Sequence, residues 1–325
     1  MLGEIIAILA VLTFVASNVI FRKTEHEASP TFINFFRTAV GTLTFILIAF
    51  FLNQLNLIFI IPLELWVLLI FSFVFGQVIG DTAYFTAQKK LGTTITLAIS
   101  MTFPLFTFML SLIFLSRPFK LNLIFSLLLI GVGIIIIGKS KINSENSNDN
   151  KTSIAKPTIK IRFQEIFRKD IVKAITFCFA ASLGWAIGAV MIEVATVRID
   201  KIIQVEELSS IIGNVIRFPF ALLILSSMVW RENYLNKENN NFANKKKSLR
   251  TWVLLISASI IGTSLGAHLY TESVHVAGAD VVALIASASP LFSLPLTYFV
   301  NKEKISKFGF IGVILTIFGV IVILI

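Results

Sequence analysis

Ten runs of about 20 mostly apolar residues occupy most of this 325-residue chain, and they constrain its fold more than any other feature. They lie at about 3–21, 31–52, 63–88, 93–115, 119–138, 171–197, 209–230, 251–275, 279–300 and 305–325. A helix of about 20 residues spans the hydrocarbon layer of a bilayer and satisfies its own backbone hydrogen bonds there. The sequence therefore predicts an all-α membrane protein with ten transmembrane helices.

The composition agrees with a chain that mostly contacts lipid. Only 14% of the residues are charged, against roughly a quarter in soluble domains. The net charge of +10 comes from Lys and Arg in the gaps between apolar runs, which is typical of membrane proteins and does not indicate nucleic-acid binding. The single cysteine, Cys178, excludes an internal disulfide and a cysteine-based metal cluster. No basic residue precedes the opening run, so we interpret it as a spanning helix and not as a cleavable signal peptide.

The two halves of the chain carry the same motifs in the same order. A shift of 186 residues aligns Gly76 with Gly262, Gly80 with Gly266, Tyr84 with Tyr270, Gly92 with Gly278 and Pro104-Leu105-Phe106 with Pro290-Leu291-Phe292, and a shift of 180 aligns Asn34 and Arg37 with Asn214 and Arg217. We therefore predict two five-helix repeats, 1–138 and 171–325, joined by a polar linker at 139–170. Because five is odd, the second repeat must enter the membrane from the opposite side. Inverted repeats of this kind are common in secondary transporters, whose substrate site lies near the membrane midplane between the repeats.

The order of these motifs resembles the EamA-type ten-helix branch of the drug/metabolite transporter superfamily. The residues that carry the resemblance are Ser17-Asn18, Asn34 and Arg37, the stretch from Ala286 to Phe292 with Ser287, Ser289 and Pro290, and Glu303 followed by Gly309, Gly312 and Gly319. The resemblance implies export or exchange of amino acids, metabolites or drug-like molecules without ATP. The first half departs from the family pattern, with Arg117 where the second half has Glu303 and with Val15-Ala16 before Ser17.

Asp81 is the most informative ionisable residue, because a charge within the hydrocarbon is costly and usually faces an interior cavity. Gln77, Asp81, Tyr84 and Gln88 are spaced at i, i+4, i+7 and i+11, which predicts one polar stripe on the third helix. Two interpretations stay open. Asp81 is either a proton or cation site on a cavity-lining face, or a structural carboxylate that is paired with an arginine or capped by a hydroxyl group.

A second polar stripe is predicted on the eighth helix, where His268, Glu272 and His275 lie on one face. His268 aligns with Thr82, next to Asp81, and an imidazole that titrates near neutral pH suits a proton relay. Solvation near a helix end is the simpler interpretation of Glu272 and His275. Zinc binding is disfavoured because few other His or Cys residues are available, and we predict neither a metal nor a cofactor.

Arg37 and Arg217 occupy equivalent positions in the two predicted repeats, each inside a helix. Each either binds a substrate carboxylate bidentately, or braces a neighbouring helix or extends to the membrane interface. Trp185 in the sixth helix either stacks on an aromatic or cationic ligand or serves as packing. The remaining candidates for substrate contact are Asn18, Tyr270 and Ser287. Pro104 and Pro290 are predicted to kink the fourth and ninth helices.

These features favour a secondary transporter of small organic solutes that works as an exporter or exchanger by alternating access. A membrane-embedded enzyme acting on a lipid carrier is the main alternative, and a non-transporting scaffold is a third hypothesis. The sequence lacks ATP-binding and standard hydrolase motifs. The expected partners are a small-molecule substrate, the bilayer and protons as a candidate coupling ion, with no nucleic acid, for a monomer or homodimer in the cell membrane. Loop charges favour both termini outside the cell, whereas the family resemblance favours both inside.

Overall fold

The structure is a computed structural model that describes residues 2–114, 169–204, 208–235, 247–287, 289–302 and 306–324, with a few positions between 125 and 136. Most of the predicted fifth helix at 119–138, nearly all of the linker at 139–170, Arg117 and Glu303 lie outside these residues. Each of the other nine predicted helices coincides with helical structure, and no strand occurs in the described part of the chain.

Thirteen α-helices are described. They are α1 Leu2–Arg22, α2 Pro30–Phe51, α3 Leu63–Phe73, α4 Thr82–Leu91, α5 Thr93–Ser100, α6 Phe103–Phe114, α7 Lys169–Ile203, α8 Leu208–Leu235, α9 Leu249–Ser259, α10 Gly266–Ala277, α11 Ala279–Ala286, α12 Ser289–Asn301 and α13 Lys307–Leu324. A 3₁₀ helix at Leu55–Ile60 lies between α2 and α3. Two π-helical segments, Val74–Asp81 and Ile260–Leu265, connect α3 to α4 and α9 to α10 without a break.

The outer surface of the protein is suited to lipid. Seven helical stretches of the described residues are long and apolar enough to cross a membrane. Large apolar side chains point outward along them and beside them, and Phe51, Phe59 and Phe299 are each at least 79% exposed. Water would disfavour such exposure, whereas hydrocarbon does not. The prediction of an all-α membrane protein is therefore confirmed, while the count of ten helices and the inverted repeat stay predictions.

Local sequence signals set the helix ends. Ser29 and Ser248 cap α2 and α9, because each hydroxyl oxygen accepts a hydrogen bond from a backbone N–H three residues later, at 3.1 Å and 3.2 Å. Gly92 and Gly278 end α4 and α10 with a φ of 85° each, a conformation that other residues adopt at a steric cost. Both glycines permit the chain to turn at once into the next helix, so α4 and α5 are adjacent in sequence, as are α10 and α11.

The third and eighth predicted helices are not uniform α-helices. Each contains a π-helical segment, and the two segments begin 186 residues apart, the same shift that aligns the glycine pairs. A π-helical turn changes the direction in which later side chains project and releases backbone carbonyl groups, and such turns are frequent at functional sites. Accordingly, the amide Nδ2 of Asn34 donates a hydrogen bond to the backbone oxygen of Gln77 at 2.7 Å.

The fourth and ninth predicted helices are interrupted immediately before their prolines. The helix that begins at Thr93 ends at Ser100, and a new helix starts at Phe103, so Pro104 is its second residue. Pro290 is likewise the second residue of α12. Proline is well tolerated in the first turn of a helix, since the N–H it lacks has no intrahelical acceptor there. The structure thus has a break before each proline in place of a kink within one helix.

Helices from the two predicted repeats pack against each other reciprocally. α1 lies along the stretch formed by α9, the second π-helical segment and α10, whereas α7 lies along the stretch formed by α3, the first π-helical segment and α4. α2 packs along α8. Glycines permit the closest approaches, since a Cβ atom added at Gly188 of α7 would lie 2.8 Å from the backbone oxygen of Ser72. The packing leaves a cavity between helices of the two predicted repeats.

Candidate functional site

A partly open cavity of about 140 Å³ lies between helices of both predicted repeats. A cavity of about this size is large enough for a benzene-sized molecule. Most of its wall is apolar, and six of the ten predicted binding residues line it, namely Arg37, Gln77, Asp81, Trp185, Arg217 and Tyr270. An apolar pocket with a few converging polar groups is the usual form of a small-molecule site.

Asp81 and Arg37 form a buried ion pair at the cavity wall. The Nη2 atom of Arg37 lies 2.9 Å from the Oδ2 atom of Asp81, and the indole Nε1–H of Trp185 donates to the Oδ1 atom at 2.8 Å. Asp81 is 4% exposed and Arg37 6% exposed. Each carboxylate oxygen therefore accepts one hydrogen bond. The sequence left open whether Asp81 pairs with an arginine, and in the structure it pairs with Arg37.

Gln77 holds Arg37 in this orientation. Its Oε1 atom accepts a hydrogen bond from Nη2 of Arg37 at 3.2 Å. Its Nε2 atom donates to Oγ1 of Thr38 at 2.9 Å and to Oδ1 of Asn34 at 3.2 Å. The network joins α2 to the first π-helical segment. Such buried networks fix side-chain orientation because an unpaired polar group would be costly.

Arg217 is the second buried arginine of the cavity, and its surroundings differ. Its Nε atom donates to Oδ1 of Asn214 at 2.9 Å, and its Nη2 atom donates to Oγ1 of Thr271 at 2.6 Å. The ring of Phe73 lies 4.7 Å from its Cζ atom. Although Arg217 is only 1% exposed, its Nη1 atom has no hydrogen-bond partner, and no carboxylate of the described residues pairs with it. A buried cation without a counter-charge is costly.

Aromatic rings surround Trp185 on the side of Asp81. Its ring centroid lies 5.7 Å from that of Phe14 in an edge-on arrangement, 5.4 Å from that of Tyr84 and 6.3 Å from that of Phe103. Phe14 and Phe103 also line the cavity, whereas Tyr84 is buried behind the wall. The cluster fixes the indole so that its N–H faces Asp81 and one edge of the cavity is aromatic.

Four predicted site residues do not line the cavity. Tyr84 packs behind Trp185, and the Nδ2 atom of Asn18 donates to the backbone oxygen of Phe14 at 2.9 Å. Ser287 lies in the turn after α11, and His268 is half-buried on α10. These four residues therefore lie outside the cavity wall.

The other ionisable groups of the second predicted stripe form a separate cluster. Glu272 and Asp200 lie 4.0 Å and 3.9 Å from the imidazole nitrogens of His275, and none of these residues lines the cavity. The Oε2 atom of Glu193 accepts a hydrogen bond from the backbone N–H of Ala279 at 2.9 Å and so caps α11. No group of His, Cys, Asp and Glu in the described part of the chain is arranged to hold a metal ion.

The sequence pattern did not indicate several residues of the wall. Phe14, Ser72, Phe73 and Gly188 all line the cavity. Phe and Ser are too common in membrane helices to stand out, but the spacing of Gly184 and Gly188 is a Gly-x-x-x-Gly pattern that predicts close helix contact. This was the available signal for the approach of α7 to the first π-helical segment.

The loop between α1 and α2 connects three helix ends outside the spanning segments. Glu25 forms an ion pair with Arg22 and accepts a hydrogen bond from Nε2 of Gln88 at 2.9 Å, and burial raises the pKa of its carboxyl group above the usual value. The Oε2 atom of Glu27 accepts a hydrogen bond from the backbone N–H of Ser248 at 2.8 Å, and this hydrogen bond, together with one from the Thr251 side chain, lowers the pKa of Glu27 to about 2. The loop thereby joins the end of α4 to the start of α9.

Comparisons with known proteins agree with this architecture. The model of the EamA-like transporter family matches residues 1–139 and 172–325. A protein of Archaeoglobus fulgidus named "uncharacterized transporter" is 24% identical over 100% of this chain and 98% of its own length. A solved crystal structure with 14% sequence identity has a TM-score of 0.60 and covers 99% of this chain and 96% of that chain, which shows a shared fold. The family match covers most of the sequence on both sides of the polar linker. The chain is a multi-pass membrane protein that belongs to the EamA-like transporter family.

Proposed function

We propose that this protein is a secondary transporter that exports or exchanges small organic solutes, such as amino acids, metabolites or drug-like molecules, and that the central cavity is its substrate site. The observation that carries the proposal is the convergence of Arg37, Asp81 and Arg217 on one buried cavity between helices of both predicted repeats. Burying three ionisable side chains is costly in a membrane protein, and such residues usually mark a solute or ion pathway. Membership of a transporter family supports transport over the alternative of a membrane-embedded enzyme.

Alternating access is the proposed mechanism, with residues 1–138 and 171–325 as inverted repeats that move against each other. The cavity-lining charges are at most 6% exposed, so this conformation holds them away from bulk water, and in the proposed mechanism another conformation exposes them to the solute. Interrupted helices and π-helical segments meet at the cavity, and such irregular backbone is where transporter helices bend. Gly76 and Gly188 contact each other without intervening side chains. In the proposed mechanism, this contact allows α7 to slide along the first π-helical segment.

Protons are the proposed coupling ion, and Asp81 is their proposed acceptor. Among the described residues that line the cavity, Asp81 is the one carboxylate. In this conformation Arg37 stabilises its charged form. A movement that separates the two side chains leaves a carboxylate in a poorly solvated environment, and desolvation then favours its protonation. The pair thereby links proton uptake to the change between conformations.

Solute flux in proteoliposomes tests the proposal. Purified protein is reconstituted, and uptake of a labelled neutral amino acid, a monocarboxylate and an aromatic amine is followed with and without an imposed pH gradient. We expect flux of at least one solute above that of empty liposomes, with a component driven by the gradient. Asp81→Asn should abolish the gradient-driven component, whereas Glu64→Gln, the same change at an exposed position in the first turn of α3, should retain it. No flux of any solute above the background would overturn the proposal.

A further inference from the structure

Arg217 lines the cavity and has unused hydrogen-bonding capacity. A guanidinium group has five N–H bonds. Asn214 and Thr271 accept one bond each, from Nε and Nη2. Among the described residues this leaves the second Nη2–H and both Nη1–H bonds without an acceptor, and Nη1 is fully buried. These two nitrogens form the edge of the guanidinium that binds the two oxygens of a carboxylate side by side.

The chain contains its own comparison for this site. Arg37 is equivalent to Arg217 under the repeat, and it has Asp81 as its counter-ion. The shift of 186 residues places Ala267 at the position equivalent to Asp81, and Ala267 lines the cavity together with Arg217. One arginine is therefore supplied with a carboxylate by the protein, while the other has a methyl group at the corresponding position.

The charge of the cavity wall favours a singly charged anion. The charged side chains that line it in the described structure are Arg37, Asp81 and Arg217, so the wall has one excess positive charge. In addition, α6 and α12 begin at the cavity wall with Phe103 and Ser289, and helix N-termini carry partial positive charge. A monoanion neutralises the excess, whereas a zwitterion leaves it in place.

The size and apolarity of the cavity narrow the class further. Its volume of about 140 Å³ suits a molecule of roughly the size of benzene. Phe14, Phe73 and Phe103 are among the apolar residues that line it. These features favour a solute with a small, apolar body and one charged group.

We propose that Arg217 binds the carboxylate group of a small monocarboxylate substrate, in the role that Asp81 fills for Arg37. This inference rests on the proposed function for its biological meaning, but it makes a claim about binding that is measured without transport.

Thermal unfolding of the purified protein in detergent tests the inference. Cys178 is the single cysteine and is fully buried, so a thiol-reactive fluorophore reports unfolding. The probes are acetate, lactate and benzoate, each paired with its neutral amide. A ligand that binds the folded state raises the unfolding temperature, because it stabilises that state by RT ln(1 + L/Kd), where L is the free ligand concentration, and the dependence of the shift on ligand concentration gives a Kd. We expect at least one carboxylate to bind with a Kd at least about tenfold lower than that of its amide.

Two substitutions separate a binding role from a structural one. Arg217→Gln should raise the Kd for the carboxylate at least about tenfold. Ala267→Asp should supply the internal counter-ion, so the variant should unfold at or above the wild-type temperature and lose its response to carboxylates. Ala267→Asn has nearly the same size without the charge and should keep the response. This contrast is informative even if Arg217→Gln fails to fold.

The inference is overturned if no carboxylate stabilises the protein, if the amides bind equally well, or if Ala267→Asp retains the response. An equal loss in Ala267→Asn and Ala267→Asp also overturns it, because bulk and not charge would then be the cause. Failure of the proposed function gives a different pattern. Carboxylate binding that needs Arg217, without solute flux in proteoliposomes, would leave this inference standing and refute transport. Flux of neutral solutes that is unaffected by Arg217→Gln would support transport and refute this inference.

Discussion

Replacing Asp81 with asparagine should destabilise the folded protein strongly, although the change removes no atoms from the core. The carboxylate accepts one hydrogen bond on each oxygen, from Arg37 and from Trp185. Asparagine has one carbonyl oxygen, so one of these donors would face an NH₂ group. The guanidinium of Arg37, which is 6% exposed, would also lose its counter-ion. Removing one partner of a buried ion pair costs about 3–5 kcal/mol, most of which is the desolvation of the remaining charge.

A double-substitution cycle isolates this effect. Arg37→Met alone should also cost about 3–5 kcal/mol, because Asp81 loses its counter-ion and its buried carboxyl group must either stay charged in a poorly solvated site or take up a proton. Met fills much of the volume of the arginine side chain, and the double variant contains neither charge. We therefore expect the double variant to be at least about 2 kcal/mol more stable than the sum of the two single effects predicts.

Reversible unfolding in mixed micelles by titration with sodium dodecyl sulfate, followed by circular dichroism, measures these free energies. Glu64→Gln is the matched control, since it makes the same chemical change at an exposed position, and it should cost less than about 1 kcal/mol. Additive single effects, or a cost of Asp81→Asn that equals the cost of the control, would refute the claim that the buried pair is a coupled unit.

Three further predictions use other parts of the structure. Gly188→Ala should lower the free energy of unfolding by about 1–3 kcal/mol, because its Cβ atom would lie 2.8 Å from a backbone oxygen. Gly76→Ala should be nearly neutral in the same unfolding assay, since the nearest atom to its Cβ would be 4.0 Å away, and equal costs would contradict the close packing. Glu27→Gln should destabilise the protein at neutral pH, and the difference in unfolding temperature should shrink as the pH falls from the usual pKa of 4.5 towards about 2, where the folded protein takes up the proton. A constant difference over that range would show that the hydrogen bond from Ser248 does not hold the charged form. Reporter tags in the linker at 139–170 and at the C-terminus should lie on opposite faces of the membrane, because five crossings separate them in the predicted topology, and tags on the same face would refute it.

The positions of the helices could be predicted from the sequence, because twenty-residue apolar runs have few alternatives in a bilayer. The sequence could not predict which side of each helix faces the cavity. The stripe through Gln77, Asp81 and Tyr84 assumes 3.6 residues per turn, but a π-helical segment ends at Asp81 and changes the direction of every later side chain. Gln77 and Asp81 therefore line the cavity, while Tyr84 packs behind it. On α10, Ala267 and Tyr270 line the cavity.

The candidate site was only partly visible in the sequence. The repeat identified Arg37 and Arg217 as equivalent, and the cost of burying charge identified Asp81. Which arginine pairs with Asp81 depends on how α2 packs against the first π-helical segment, and periodicity along one helix contains no information on that contact. The sequence predicts kinks at Pro104 and Pro290, whereas the structure has a break before each proline. Proline alone does not distinguish a bent helix from two helices.

Accessibility of a cavity residue from the two sides of the membrane tests the central claim most directly. Ala189 lines the cavity and is 1% exposed. In a Cys178→Ala background, Ala189→Cys is treated with a membrane-impermeant maleimide in right-side-out and in inverted vesicles. Alternating access to one central cavity predicts that the reagent labels this cysteine from either side. Labelling from one side only, or from neither, would contradict the account.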